Sequence, residues 1–366
     1  MILRTLVTRL FAYLDGPLLG LLLLLLLLSS AVVYSASGEN PAKMTTHFIN
    51  MSVALGAMLL VSHIPPQRLM QFTLPAYALG LILLLGVALF GVVVNGSRRW
   101  LDLGLTRIQP SELMRLAAPM MLAWYLHYKQ ETMRRRDFLI AGLLLVLPLG
   151  LIAKQPDLGT ALMIAASGFY VLFLGGLSWK VLFGAAATAG AALPLAWNYL
   201  LHDYQRNRVL TLIDPSSDPL GAGYHIIQST IAVGSGGVVG KGWMSGTQTH
   251  LDFLPECSTD FIFAVYSEEF GLIGNLFLLL LYAAIIWRGL MLASGAPSLF
   301  GRLFAGAIVL TFATYAFVNM GMVSGILPVV GVPLPLVSYG GTSMLTVLVG
   351  FGIVMNLVSH KKLVKT

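Results

Sequence analysis

The sequence predicts an all-α integral membrane protein with about ten transmembrane helices. Of its 366 residues, 57% are hydrophobic and only 10% are charged, and the mean hydropathy is +0.84. This composition is typical of membrane proteins. Apolar stretches of about 20 residues, the length that crosses a lipid core, recur between short polar breaks. Because the alternating pattern of a lipid-facing barrel is absent, helices are the spanning structure that remains.

Charge and cysteine content exclude several other classes of protein. The chain has 22 Lys and Arg against 15 Asp and Glu, a net charge of +7. The basic residues are scattered among the loops and form no stripe, so they favour a positive-inside bias and indicate no nucleic-acid partner. Cys257 is the single cysteine, which excludes an internal disulfide, and no His or Cys spacing resembles a zinc site.

The predicted spans follow one another in a single polytopic membrane domain, residues 1–366. Residues 1–14 place apolar side chains at helical spacing, which predicts an interfacial helix. The next apolar run is interpreted as an uncleaved first span, although Ser35–Ser37 resembles the cleavage site of a signal peptide. The ten spans lie near residues 17–36, 46–62, 73–94, 111–128, 138–153, 158–177, 180–200, 261–286, 302–325 and 340–358.

The distribution of basic residues predicts the orientation of these spans. An even number of spans places both termini on one face, and most Lys and Arg residues fall on that face, which is therefore predicted to be cytoplasmic. The long polar loop at 201–260, between spans seven and eight, is then periplasmic. Its apolar stretch Tyr224–Val233 is too short to cross a bilayer and precedes a glycine-rich segment. We expect an interfacial or re-entrant helix followed by a tight turn.

Ionisable residues inside predicted spans are the first candidates for function, because burying a charge in a membrane is costly. Glu112 and Arg115 lie three residues apart at the start of the fourth span and project from one helix face. Glu112 has an alternative role as the acidic complement of the helix N-terminus. Arg115 lies one turn deeper, so we expect it to pair with Glu112 or with Asp260.

Two further carboxylates stand at predicted helix starts. Asp157 precedes the sixth span and Asp260 precedes the eighth, and capping would be a sufficient structural role for each. However, Glu112, Asp157 and Asp260 all map to the same membrane surface, which favours a mixed-charge cluster around a cavity. Glu268 and Glu269 follow about two turns below Asp260. They are proton-relay candidates in a transporter, and in an enzyme they are groups that line the cavity or hold the bundle together.

The polar stretch at 331–343 separates the last two predicted spans. Pro333 and Pro335 forbid a continuous helix there, which leaves backbone groups free to line a cavity. Ser338 and the hydroxyls that follow it stand at the start of the final helix. They are candidates to hold an anion, with helix capping as the alternative.

Polar motifs recur in a fixed order along nearly the whole chain. They are Arg99-Trp-Leu-Asp-Leu-Gly104, Gln109-Pro-Ser-Glu112, Gln155-Pro-Asp-Leu-Gly-Thr160, Gln205-Arg-Asn-Arg208 leading to Asp214-Pro215, Gly223-Tyr-His-Ile-Ile-Gln-Ser229, Leu254-Pro-Glu256 with Thr259-Asp-Phe-Ile-Phe263, and Pro333-Leu-Pro-Leu-Val-Ser-Tyr-Gly-Gly341. In this order and spacing they resemble the motifs of the SEDS family (shape, elongation, division and sporulation).

The resemblance implies a function, a location and partners. It implies polymerisation of lipid II into glycan strands during cell elongation, at the outer face of the bacterial cytoplasmic (inner) membrane, with Asp260 matching the family's essential aspartate. It also implies a class B penicillin-binding protein, a transpeptidase, as partner, together with other membrane proteins of the elongation complex. One departure is visible, because Arg115 stands where relatives commonly carry Lys. Arginine keeps the charge but does not readily surrender a proton.

The residues fit that chemistry independently. Joining sugars from a lipid-linked pyrophosphate requires a base for the acceptor's 4-hydroxyl and cations for the departing pyrophosphate. Asp260 is the candidate base. The candidate supporting residues are Glu112, Arg115, Asp157, Arg99, Arg206, Arg208, Lys241, Glu256 and Ser338. A divalent cation, Mg²⁺ or Mn²⁺, is a candidate cofactor with Glu112, Asp157 and Asp260 as possible ligands, and no organic cofactor is expected.

Two other functions remain open from the sequence. A transporter that flips lipid II would use the same cavity and charges as a path for the head group. It would tolerate the loss of Asp260, whereas a polymerase would not. A membrane scaffold for wall-building partners would leave the polar cluster without a purpose.

Overall fold

The computed structural model shows a bundle of helices with a small β-sheet at one end. It describes residues 13–94, 97–102, 107–155, 157–200, 203–218, 221–247 and 256–359. The helices are α1 (Gly16–Ala36), α2 (Pro41–Ser62), α3 (Pro66–Phe90), α4 (Pro110–Tyr128), α5 (Arg135–Ala153), α6 (Leu158–Leu174), α7 (Trp179–Leu195), α8 (Asp203–Ile213), α9 (Ala222–Ser235), α10 (Ile262–Ser294), α11 (Leu299–Val323) and α12 (Gly341–Ser359). The interfacial helix predicted at 1–14 lies almost wholly outside the described residues.

The predicted class, an all-α membrane protein, is confirmed. Among the described residues, seven helices are long and apolar enough to cross a membrane. They are α1, α2, α3, α5, α10, α11 and α12, and α6 is a shorter apolar helix. A helix also stands at each of the other predicted spans, but the count of ten crossings stays a prediction.

The third span lies nearer the N-terminus than predicted, because α3 runs from Pro66 to Phe90 and not from near residue 73 to residue 94. Gly91 leaves the helical conformation, and the chain continues as strand β1 (Val92–Val94). This strand pairs antiparallel with β2 (Ser97–Asp102), which pairs with β3 (Arg107–Ile108). Consecutive β-branched valines favour the extended conformation. The sheet therefore places Arg99 next to the start of α4.

The eighth predicted span is longer than expected and is interrupted. The helix α10 runs to Ser294 and contains Gly271 in a left-handed conformation, with φ 63° and ψ −160°. The glycine turn after α9 pairs with the backbone released there. Lys241 N donates to Glu268 O at 3.0 Å, and Leu272 N donates to Gly237 O at 3.0 Å. A side chain at Gly240 would overlap the carbonyl of Glu269, so this close approach requires glycine.

The short helix predicted at Tyr224–Val233 is present as α9 (Ala222–Ser235) and is followed by the expected glycine turn. Its inward face packs on α10. This helix is thus too short to cross a membrane, but it is long enough to bring the glycine turn into contact with the backbone at Gly271.

The bundle has two ends, called the Asp15 end and the Asp260 end after the aspartate that lies at each. At the Asp15 end, Ser359 Oγ donates to Tyr13 O at 3.0 Å, so the first and last described residues lie together. At the Asp260 end, Cys257 Sγ contacts Ala36 O at 3.3 Å. Helix α1 connects the two ends with 21 residues, a rise of about 30 Å.

Candidate active site

Asp260 lies in a tight turn that precedes α10. Glu256 opens the turn with a left-handed φ of 53°, and its carbonyl accepts from Thr259 N at 3.1 Å and Phe261 N at 3.3 Å. The Thr259 hydroxyl also donates to Glu256 Oε2 at 2.8 Å. The turn is closed by its own backbone. The start of α10 has no side-chain cap, so Asp260 does not perform the capping role considered for it.

The loop before α12 clamps this turn from one side. Tyr339 N donates to Ser258 O at 2.8 Å, and Ser338 Oγ donates to Thr259 O at 2.6 Å. Ser338 Oγ also accepts from Leu334 N at 2.8 Å. Ser338, a candidate for holding an anion, therefore uses its hydroxyl to join two segments of the protein.

Asn319 on α11 clamps the turn from the other side. It is fully buried, and its amide donates to Asp260 O at 2.8 Å and to Val332 O at 2.7 Å. Gly331 adjoins the Asp260 side chain, since a Cβ built there would stand 3.4 Å from Asp260 Oδ2. The sequence reasoning missed Asn319. Its only signal was an amide in an apolar helix.

The Asp260 carboxylate is partly buried and has an unusual electrostatic environment. Burial, together with the negative charge of nearby Glu256, raises the pKa of Asp260 to about 6. Within the described residues, no Lys or Arg forms an ion pair with Asp260. A carboxylate in this environment is a stronger base than one in water and still ionises near neutral pH.

Glu112 and Arg115 form the ion pair that was predicted, with Arg115 Nη1 at 2.9 Å from Glu112 Oε1. Thr346 on α12 donates to Glu112 Oε2 at 3.1 Å. The Arg115 guanidinium lies over the Tyr315 ring, 5.0 Å from its centroid. Arg115 thus pairs with Glu112. Among the described residues it forms no ion pair with the alternative partner, Asp260.

Asp157 performs both roles considered for it. Its Oδ1 accepts from Thr160 N at 3.2 Å and caps α6. The same carboxylate lies 3.6 Å from Arg99 Nη1 and accepts from Gln109 Nε2 at 3.3 Å. Asp157 also interacts electrostatically with Arg115, which brings Arg99, Glu112, Arg115 and Asp157 into one mixed-charge cluster.

A cavity of about 50 Å³ lies beneath Arg115, between α4, α11 and α12. This volume has room for a few water molecules. Its polar lining includes Arg115, Thr311, Tyr315 and Thr346. The hydroxyls of Thr311 and Tyr315 are buried and find no hydrogen-bond partner in the described part of the chain. The walls of this cavity are mostly apolar and include none of Glu112, Asp157 and Asp260, so the cavity expected among these three carboxylates stays a prediction.

Other candidate cations contact different groups. Lys241 Nζ donates to the buried Glu268 Oε1 at 2.6 Å and to Thr247 Oγ1 at 2.8 Å. Arg206 lies 3.8 Å from Asp203, and Arg208 follows on the same helix, α8. The contacts of Lys241 hold the glycine turn against α10.

Glu268 and Glu269 accept hydrogen bonds that join neighbouring segments of the protein. Glu268 accepts from Thr247 N at 2.9 Å in addition to Lys241, and Glu269 accepts from the Ser35 hydroxyl. These contacts tie α10 to the glycine turn and to α1. They favour the interpretation that the two glutamates hold the bundle together.

The arrangement of the carboxylates limits how a metal ion could be bound. Across the described residues, no group of three or more His, Cys, Asp or Glu side chains converges as a ligand set. Glu112, Asp157 and Asp260 therefore do not form the shared site considered for them. Glu256 lies near Asp260, and one carboxylate with substrate phosphates can hold Mg²⁺.

Comparison with known proteins gives a consistent result. The model of the cell cycle protein family FTSW_RODA_SPOVE matches residues 10–363. The chain is 49% identical over 351 residues to the peptidoglycan glycosyltransferase MrdB of Escherichia coli K12, covering 96% of this chain and 95% of that protein. It is 32% identical over 371 residues to the peptidoglycan glycosyltransferase RodA of Treponema pallidum, covering 82% of this chain and 86% of that protein.

Solved structures match the fold over nearly its whole length. One chain, from a study of how a peptidoglycan synthase complex coordinates polymerization and crosslinking, has a TM-score of 0.81 and 34% identity and covers 94% of this chain and 97% of its own. The rod shape determining protein RodA of Thermus thermophilus has a TM-score of 0.70 and 30% identity, with 96% and 98% covered.

Proposed function

The chain belongs to the FTSW_RODA_SPOVE family of cell cycle proteins, and from this we infer that it is a peptidoglycan glycosyltransferase. It is a multi-pass membrane protein, and relatives of that function match almost its full length. Its substrate is lipid II, which it polymerises into glycan strands during cell elongation.

The single observation that carries the mechanism is the state of Asp260. Its carboxylate is partly buried, adjoins Gly331, and pairs with no cation in the described part of the chain, so burial and Glu256 raise its pKa to about 6. As base, Asp260 accepts the proton of the acceptor sugar's 4-hydroxyl. The freed oxygen forms a bond to C1 of the donor sugar, and the bond from C1 to the pyrophosphate oxygen breaks. The lipid pyrophosphate leaves with the electron pair.

Arg99 and Arg115 are the first candidates to stabilise the leaving pyrophosphate. Both are fixed by carboxylates, Asp157 and Glu112, and so present charge without reorganisation. Arg206, Arg208 and Lys241 remain candidates for further contacts with substrate. A divalent cation, Mg²⁺ or Mn²⁺, would neutralise pyrophosphate charge if Glu256 held it together with the substrate phosphates, which would leave the Asp260 carboxylate to act as base.

Orientation and partners complete the proposal. The Asp260 end faces the periplasm, both termini are cytoplasmic, and the protein resides in the inner membrane. Its partner is a class B penicillin-binding protein transpeptidase, and it works with other membrane proteins of the elongation complex. Support comes from the 0.81 TM-score to a chain from a complex in which polymerization and crosslinking are coordinated.

The test is a glycan-chain assay with the purified protein, its partner and lipid II, run beside a lipid-flipping assay in vesicles. We expect glycan strands to form, and their formation to depend on Asp260. Transport of lipid II without strand formation would contradict the proposal and identify a flippase.

A further inference from the structure

Three consecutive carbonyls of the Asp260 turn are held by three different donors. Tyr339 N binds Ser258 O at 2.8 Å, Ser338 Oγ binds Thr259 O at 2.6 Å, and Asn319 Nδ2 binds Asp260 O at 2.8 Å. The first two donors come from the loop before α12. Asn319 lies on the membrane helix α11. Its side-chain amide donates to the backbone of Asp260, the residue that carries the reacting carboxylate.

Asn319 joins two segments that have no regular structure of their own. Its second amide proton binds Val332 O at 2.7 Å, next to Gly331. Gly331 has a left-handed φ of 72°, and its backbone adjoins Asp260 Oδ2. One amide group therefore fixes both the backbone of Asp260 and the backbone that its carboxylate lies against.

The same chemistry occurs at the opposite end of the bundle. Asn356 on α12 is also fully buried, and its amide donates to Ser62 O at 2.7 Å and to Ile64 O at 2.5 Å. It secures the end of α2, where the proposed reaction has no group. Asn356 is thus a matched control for what a buried asparagine contributes to folding alone.

We propose that Asn319 is a positioning residue for glycosyl transfer, which holds the Asp260 carboxylate in the place where it accepts the proton of the acceptor hydroxyl. The inference rests on the proposed function of Asp260. Asn319 itself contacts carbonyls of the protein and is fully buried, so it acts through Asp260 and not on substrate. Misplacing a catalytic group by about 1 Å can lower a rate by about 100-fold.

The experiment compares shape-matched variants at the two positions in the full chain with its partner and lipid II. Asn319→Leu and Asn319→Asp keep the size of the side chain; leucine removes both donated hydrogen bonds, and a buried aspartic acid, which keeps its proton, donates at most one. We expect kcat to fall by about 10- to 100-fold with little change in KM, because binding does not use Asn319. Asn356→Leu and Asn356→Asp should lower the unfolding temperature to a similar extent and leave kcat of the folded protein near normal.

Two results would overturn the proposal. One is an equal loss of kcat in the Asn319 and Asn356 variants, which indicates a folding role only. The other is a raised KM with unchanged kcat in the Asn319 variants, which indicates a role in substrate binding. If the Asn319 variants do not fold, Gly331→Ala decides, since the left-handed φ of 72° strains an alanine there and so shifts the backbone beside Asp260 Oδ2 while Asn319 stays intact. A lower kcat supports positioning, and a normal kcat refutes it.

An Asp260→Asn variant in the same assay separates this inference from the proposed function. If Asp260→Asn polymerises normally, the base assignment fails, and the positioning role fails with it. If Asp260→Asn is inactive while the Asn319 variants retain normal kcat, only the positioning role fails.

Discussion

The two ends of the bundle place an aspartate before a helix in opposite electrostatic environments. At one end, Asp15 caps α1 by accepting from Leu18 N at 3.0 Å, and Arg288 binds both its oxygens at 2.9 and 2.6 Å. The hydrogen bonds from Arg288 hold the pKa of Asp15 below its usual value. At the other end, Asp260 caps nothing, and burial raises its pKa to about 6.

The difference separates a structural carboxylate from a reactive one. A carboxylate whose oxygens are occupied by a cation and a helix N-terminus is a poor base, because protonation would break those contacts. Asp260 instead has its backbone fixed by Asn319, and its carboxylate forms no ion pair with a Lys or Arg of the described segments. Sites that leave a buried ionisable group incompletely compensated are where function is expected.

The largest expected effect comes from exchanging each aspartate for asparagine. Asp260→Asn keeps the shape but removes the base, so glycan synthesis should fall by at least about two orders of magnitude, while folding and partner binding persist. Asp15→Asn should lose stability and keep near-normal turnover. The measurement is strand formation from lipid II, normalised to folded protein. Near-normal synthesis by Asp260→Asn would shift the assignment to Glu112 and Asp157.

A smaller loss is expected at the Glu112–Arg115 pair. Arg115→Met keeps the bulk and removes the charge, which leaves Glu112 buried without its cation and should destabilise the protein by about 3 kcal/mol. Polymerisation should fall at least about tenfold, because one fixed positive charge near the pyrophosphate is lost. Arg115→Lys, which keeps the positive charge, is the matched control and should remain active. Unchanged activity and unfolding temperature in Arg115→Met would refute the role.

At the Asp15 end, Arg288→Met should affect stability alone. The substitution removes the two hydrogen bonds to Asp15, so the unfolding temperature should fall by less than in Arg115→Met. Turnover of the folded protein should stay normal. A kinetic defect in this variant would show that the two ends are coupled, and the comparison between them would then fail.

The smallest effect is expected from labelling Cys257, an experiment that shows which side of the membrane the Asp260 end faces. Cys257 is partly buried at the Asp260 end, and labelling it should change neither fold nor topology. A membrane-impermeant thiol reagent should label it from the periplasmic side, in intact spheroplasts. Labelling only from inverted vesicles would reverse the proposed orientation.

The charged parts of the site could be predicted from the sequence, because ionisable residues in apolar runs are conspicuous. Glu112, Arg115 and Asp260 were found in this way, and the pairing of the first two is confirmed. Asn319 and Tyr315 were missed, since neutral polar side chains scarcely interrupt an apolar helix. Their importance depends on which distant backbone or charge they meet, and a linear pattern does not contain that information.

The irregular backbone was equally hard to predict. Val92–Val94 continues the apolar run of α3, so strand β1 was assigned to the span, although the following Asn-Gly dipeptide is a common hairpin signal. Gly271 is a single glycine in an apolar stretch, and the break there depends on the glycine turn that docks against it. The long helices were predictable because hydropathy alone determines them.

The dependence of kcat/KM on pH tests the central claim most directly, since it reports the pKa of the essential base in the free enzyme. The base must be deprotonated, so kcat/KM should fall as pH drops through about 6, the raised pKa of Asp260.

Unfolding should not cause this loss. The raised pKa of Asp260 makes protonation favour the folded state, so its contribution to stability increases as pH falls through about 6. The lowered pKa of Asp15 means that its contribution is present above about pH 4 and is lost only as pH falls further. The protein should therefore stay folded at pH 5, with a kcat/KM reduced about tenfold from its plateau. A kcat/KM that stays constant from pH 7 to pH 5 would contradict the role of Asp260 as the base.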